Sequence, residues 1–299
     1  MIQSLRAKVN RFTTNRINAK HISIGMVLLK LALVAILLIK YLPTASPSDW
    51  HVNSTFFWFV LAGFLAQIVD GALGMAYGAT SSAVLLGYGL PPKLASAAVH
   101  SAEVFTTGVS GLSHIKVGNF DKALFFKLIV PGVISASLGA FLLGTVLDGG
   151  VIRPFVNAYL LILGVIILLK SLRKKMKIQR NIKQAPILAA FGGFLDAIGG
   201  GGWGPIVTSN LISKGNAPAQ VIGTVNTAEF FVTYFTAGIL IYFTGIQSWQ
   251  IILGLILGGC LAAPLGAYIT KKIPQKALFI IVGLLIILTS LYSLLTALF

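Results

Sequence analysis

One shift of 126 residues lays the second half of this chain on the first. Asp70 falls on Asp196, Gly74 on Gly200, Gly78 on Gly204, Gly89 on Gly215 and Pro92 on Pro218. Val99 then falls on Val225, Ala102 on Ala228, Glu103 on Glu229, Phe105 on Phe231 and Thr107 on Thr233, without a gap. A later match, Leu138-Gly139-Ala140 on Leu265-Gly266-Ala267, needs a shift of 127. Apolar runs resemble one another by chance, but acids, glycines and a proline do not align in one register that way. The chain is read as repeat one over 55–172, a linker over 173–184 and repeat two over 185–299, after a leading segment 1–54.

The repeats are built for lipid. Only 10% of the residues are charged and 56% are hydrophobic. Soluble domains carry about 25% charged residues, so this chain cannot cover a water-facing surface. Disordered, fibrous and disulfide-rich classes are excluded with it. A single cysteine, Cys260, allows no intrachain disulfide and reads as a small packing residue. Residues 22–42 form an apolar run too long for a signal-peptide core, and are expected to be a first transmembrane helix. Lys30 within that run either snorkels or faces other helices.

Each repeat opens with a glycine-broken apolar stretch, Phe56 to Leu86 and Ile187 to Ile212. The second is too short for two full spans, since one span needs about 20 residues. Both are expected to be hairpins of two half-helices that enter and leave on one side. Three ordinary spans follow, at 94–113, 124–147 and 154–172, then at 218–240, 249–269 and 277–297. The fold class expected is all-α integral membrane.

Positive charge orients the chain. With the N-terminus inside, nineteen of the 23 Lys and Arg residues fall in cytoplasmic segments; Lys40, Lys93 and Arg153 fall outside and Lys30 is unassigned. That places a multi-pass protein in the plasma membrane with its N-terminus cytoplasmic and its C-terminus outside. The net charge of +16 then marks loops facing anionic lipid headgroups rather than nucleic acid. The repeats start on opposite sides, so their topology is inverted. Inverted repeats with broken helices are a transporter pattern.

Of seven acidic residues, Asp49, Asp121 and Asp148 sit in expected loops. Asp70, Glu103, Asp196 and Glu229 sit in membrane segments, as two repeat-related pairs. Acids at that depth should face a cavity or a partner. They are read as coupling or structural groups; Asp70 and Asp196 each precede a break whose free N–H groups need acceptors. His100, Glu103 and Thr107, extended by Ser96, share one helix face, matched by Asn226, Glu229 and Thr233. The two stripes either line a path or allow close packing. A His100–Glu103 couple could relay protons, asymmetrically, because His100 has only Asn226 as its counterpart.

The breaks carry the substrate expectation. One reads Asp70-Gly71-Ala72-Leu73-Gly74-Met75-Ala76-Tyr77-Gly78-Ala79-Thr80-Ser81-Ser82, the other Asp196-Ala197-Ile198-Gly199-Gly200-Gly201-Gly202-Trp203-Gly204-Pro205-Ile206-Val207-Thr208. Consecutive glycines oppose a continuous helix, and Gly204-Pro205 suits the first turn of a new one. Half-helices that begin at mid-membrane aim N–H groups and positive dipole ends inward. A small-anion site is expected there from Gly74, Tyr77, Gly78, Thr80, Ser81, Gly200, Gly202, Trp203, Gly204 and Thr208, with His100 and Asn226 beside it. Tyr77 and Trp203 would gate it or merely pack. No metal or cofactor is expected, and a homo-oligomer is left open.

At these residues the chain resembles the TauE/SafE sulfite exporter family, over most of 56–295. The Asp-to-glycine breaks, the Gly89-to-Pro92 and Gly215-to-Pro218 motifs and the Glu103 and Glu229 helices carry the resemblance. It implies a permease for sulfite, sulfonates or other organic anions. Residues 1–42 exceed the minimal two-repeat pattern. A cation carrier using the four acids as ligands is the competing reading. An intramembrane enzyme lacks a motif, since there is no His-Glu-x-x-His and no evident Ser–His pair.

Overall fold

The computed structural model describes residues 18–41, 52–172, 181–246, 249–269 and 275–298. The basic segment through Arg16, Asp49, most of the 173–184 linker, and Lys271 and Lys272 lie outside the described residues. Every regular element among the described residues is helical.

Local chemistry sets the boundaries. Helix α1 spans Ala19–Tyr41. Helix α2, Ser54–Leu73, starts at Asn53, whose side chain accepts the Phe56 N–H at 3.2 Å. It stops at Gly74, which turns left-handed at φ 64°. Helix α3, Tyr77–Gly87, is short. A turn at Gly89, with φ 103°, leads to α4, Pro92–Lys116. Asp121 caps α5, Lys122–Thr145, and Asp148 caps α6, Gly149–Lys170, so both of these loop acids serve helix starts. Helix α7, Ala185–Gly199, ends at left-handed Gly200. A π-type turn, Gly204–Thr208, runs into α8, Ser209–Ser213. Helices α9, Pro218–Thr244, α10, Trp249–Ile269, and α11, Gln275–Leu298, complete the order.

One expectation needs correcting. The arms α3, α7 and α8 are short, but α2 has 20 residues and is apolar enough to cross a bilayer by itself. Nothing between Ser54 and Asp70 stops it: the one glycine there, Gly63, is tolerated because it meets the Leu255 backbone. Among the described residues six helices pass that length-and-apolarity test: α1, α2, α5, α6, α9 and α11. Helix α4 fails it despite 25 residues, because Ser96, His100, Ser101, Glu103, Thr106, Thr107 and Ser110 are buried along it. Its polarity faces other helices, not lipid. Leu31, Phe57, Trp58, Ile134, Phe155, Ile187 and Tyr242 are exposed, as a lipid-facing surface requires.

The principal packing partners are α2 with α10, α5 with α7, α4 with α9, and α6 with α11. Under the sequence shift α2 corresponds to α7 and α5 to α10, so the first two pairings exchange. The other two pairings each join a helix to its own counterpart. Glycines let these backbones approach: Gly254 and Gly258 lie on α2, and Gly193 lies on the Gly132 carbonyl of α5.

Candidate functional site

The site begins with the two breaks, where each aspartate works on both sides of its own interruption. The Gly74 N–H donates to the Asp70 carbonyl at 2.5 Å, and the Gly200 N–H to the Asp196 carbonyl at 2.7 Å. Seven residues on from each aspartate, the chain restarts. Asp196 Oδ1 accepts the Trp203 N–H at 3.0 Å, and Asp70 Oδ1 accepts the Tyr77 N–H at 3.5 Å. Each carboxylate therefore caps the new helical segment from within the protein.

The breaks touch each other reciprocally. Gly78 lies against Gly200 and Gly201, and Gly204 lies against Gly74 and Met75. The shift maps one contact onto the other. A Cβ on Gly78 would come 2.9 Å from the Gly200 carbonyl, and one on Gly204 would come 2.7 Å from Met75 Cβ. In this conformation the two ends are packed together, with no separation for an anion between Gly78 and Gly201. Gly202 lies against the Tyr159 hydroxyl.

Around this contact the polar residues are buried. Asp70, Asp196, Glu103 and Glu229 are all buried, with His100, Asn226, Thr107, Thr233, Thr80, Ser81 and Thr208. Thr107 and Thr233 donate to the carbonyls of Glu103 and Glu229, at 2.5 Å and 2.9 Å, so their hydroxyls are satisfied within their own helices. Thr80, Ser81 and Thr208 make no such bond: their hydroxyls have no partner among the described residues. One oxygen each of Asp70, Glu103 and Asn226, and the Tyr159 hydroxyl, are likewise unpartnered. Unsatisfied buried polar atoms are rare in native proteins, and so many around one contact mark it as special.

His100 is bound differently from the sequence-based expectation of a His100–Glu103 couple. Its Nε2 lies 3.1 Å from Asp196 Oδ2, so its direct partner belongs to the second break. Its Nδ1 lies 2.8 Å from the Ser96 carbonyl. Ser96 Oγ donates to the Ala197 carbonyl at 2.7 Å, tying the same stretch of α4 to α7. Asn226, the counterpart of His100, donates instead to Ser110 Oγ at 2.9 Å. Donor atoms of His100, Glu103 and Asp196 lie within 4.8 Å of one another. Among the described residues these three could offer ligand atoms to a metal ion, and in this conformation two of them face each other.

The aromatic pair serves packing here. Tyr77 donates to the Leu255 carbonyl at 3.2 Å, and Trp203 Nε1 to the Val225 carbonyl at 3.4 Å; both rings are buried. Trp203 fills the notch at Gly132, and Tyr77 lies beside Gly259. Lys30 faces other helices: it donates to the Phe105 carbonyl at 3.3 Å and lies over the Phe230 ring. Cys260 is half-buried.

The site also has members that residue type alone did not single out. Ser82 donates to the Gly200 carbonyl at 2.5 Å, bridging the breaks. Tyr159 packs its ring on Gly199. Ser82 stands at the position of Thr208 in the repeat, which was a usable signal; Tyr159 had none. The described residues also enclose small cavities away from the breaks. One of about 80 Å³ is lined by Leu124, Ile182 and Asn216, and one of about 230 Å³ by Phe56, Tyr88 and Gln250. Ile182 and Phe56 are counterparts under the shift, as are Leu124 and Gln250.

A broken-helix core inside a multi-pass helical membrane protein is the setting of a transporter rather than an enzyme, and the comparisons with known proteins agree. The chain is 44% identical over 241 residues to the probable membrane transporter protein YtnM of Bacillus subtilis (strain 168), covering 78% of this chain and 80% of that protein. No solved structure matches it. The family model for the sulfite exporter TauE/SafE matches residues 59–293, and the chain belongs to that family.

Proposed function

We propose that this protein is a secondary transporter of small sulfur-containing anions, such as sulfite or an organosulfonate, working by alternating access at the paired breaks. The observation that carries the reading is the set of buried, unpartnered hydroxyls of Thr80, Ser81 and Thr208 beside the Gly78–Gly201 and Gly204–Gly74 contacts. Such hydroxyls donate to oxyanions once the breaks part and expose the N–H groups of the restarting helices. Gly74, Tyr77, Gly202, Trp203 and Asn226 shape the surroundings.

The acids make proton coupling part of the proposal. Four carboxylates are buried around the site, and two of them already cap the half-helix starts. An anion added to that charge would be repelled unless protons neutralise it. Glu103 and Glu229, on the paired helices α4 and α9, are the proposed acceptors.

The exchange of α2 and α5 partners with α7 and α10 supports two inverted repeats over 55–172 and 185–299. The membrane orientation follows the Lys and Arg distribution, with the N-terminus cytoplasmic and the C-terminus outside, and it requires α2 and α3 together to enter and leave on one side. The two counterpart cavities would then open on opposite faces.

The test is sulfite flux in proteoliposomes, with taurine, sulfoacetate, sulfate and chloride as competitors. Saturable flux is expected, along with loss of its response to an imposed proton gradient in Glu103→Gln and Glu229→Gln. Absence of flux with every oxoanion, alongside flux of a cation, would overturn the reading and make the acids cation ligands.

A further inference from the structure

We propose that the proton passing to the coupling glutamates is first held at a site present in one half only, between His100 Nε2 and Asp196 Oδ2, and that there it fastens α4 to the second break. The role in a transport cycle rests on the anion-transport reading; the proton site itself does not.

The hydrogen bonds determine the chemistry of the imidazole. Ser96 Oγ has committed its hydrogen to the Ala197 carbonyl, and the Ser96 carbonyl can only accept. Nδ1 therefore carries a hydrogen. Nε2 then faces Asp196 Oδ2 at 3.1 Å either as an N–H donor or as a bare lone pair. With a proton between them the two atoms bond. Without one, two acceptors stand at bonding distance in a buried site, and they repel.

No equivalent exists in the other half. Asn226 replaces His100 and holds Ser110, and Asp70 Oδ2 has no partner. Other ionisable groups approach from several elements. Glu103 lies on α4 itself, Asp70 on α2, Tyr77 on α3, Tyr159 on α6 and Glu229 on α9. Lys30 of α1 and Cys260 of α10 interact with each other instead. Helix α5 contributes only Lys122 and Lys127 at its start, and Lys127 is bound to the Ile182 carbonyl. Glu103 is the carboxylate grouped with the pair, and its Oε2 is free to receive the proton. In that transfer the Nε2–H bond breaks and an Oε2–H bond forms, with total charge unchanged. The pair then parts and frees the Ala197–Trp203 segment from α4.

Hydrogen exchange read by mass spectrometry on the full chain in detergent tests the site without any transport. After correction for intrinsic rates, protection of residues 194–208 in the wild type should fall as pH rises. In His100→Gln a carboxamide N–H donates to Asp196 and does not titrate, so protection should be independent of pH. Asp196→Asn, whose Nδ2–H would donate to the bare Nε2, should abolish the fall in protection with rising pH and serves if the first variant does not fold. An unchanged pH response in the folded variant overturns the proposal.

In proteoliposomes, the ratio of sulfite exchange under a proton gradient to exchange at equal pH should fall at least about fivefold in His100→Gln, the lower end of coupling between linked sites, whatever the variant's rate at equal pH. A retained gradient response overturns the coupling role. Wild-type protein that shows the exchange signature but no sulfite flux overturns the anion reading and leaves the proton site standing.

Discussion

The two breaks share one plan and differ in how tightly they are held. In the second break both carboxylate oxygens of Asp196 are engaged, by the Trp203 N–H and by His100, and Ser96 and Ser82 donate to the Ala197 and Gly200 carbonyls. In the first, Asp70 makes one long contact of 3.5 Å to the Tyr77 N–H and leaves Oδ2 without a partner. The first break also stores strain: Ala76 sits at φ 115°, while its counterpart under the shift is Gly202. The lesson is that a duplicated motif need not make duplicate sites. One substitution between halves, His100 for Asn226, decides which aspartate is tied across the interface and which is free to respond.

The largest expected effect comes from untying the tight side. Asp196→Ala should cost about 3–5 kcal/mol, the range for breaking a buried charge pair. Unfolding midpoints in detergent measure it, and equal losses in Asp196→Ala and Asp70→Ala would erase the distinction between the breaks. Next is the contact that both breaks share. Gly201→Ala drives a Cβ into the backbone of Gly78 and Ala79, which cannot rotate away, and should cost about 1–3 kcal/mol. A normal midpoint together with normal flux in that variant would show that the reciprocal contact is dispensable.

On the loose side, Asp70→Ala should cost about 1 kcal/mol, the typical value of a lost helix cap. A loss as large as that at Asp196 would mean that Asp70 has a partner as strong as His100. The smallest effect has the opposite sign. Ala76→Gly relieves the unfavourable φ and should raise stability by up to about 1 kcal/mol, part of the relief being offset by the entropy of glycine. A fall in midpoint would show that the Ala76 methyl packs well enough to outweigh its strain.

Much of this arrangement was legible along the chain. Helices α4, α9, α10 and α11 lie where the apolar runs placed them, because span length is set by bilayer thickness and starts are set by Pro92 and Pro218. Both breaks fall after the repeat-related aspartates, because glycines at 74 and 200 take up the left-handed turn. Helix α2 runs longer than the half-helix expected, since a glycine-broken run tells where a helix ends but not how far back it began. The polar stripe of α4 was visible from its spacing.

The sequence by itself determined the class of molecule, the positions of the interruptions and the pairing of acids by register, all consequences of local composition and covalent order. Only the tertiary structure decided which groups meet. It paired His100 with Asp196 instead of with Glu103, its neighbour on the same face of α4, and it set Gly78 on Gly201 and Gly204 on Met75. The physical reason is that a neighbour three residues away on a helix is only one candidate partner, whereas the close approach of two glycine-lined breaks brings in groups from nearly a hundred residues away. In a medium without water, a buried carboxylate takes whichever donor that packing delivers.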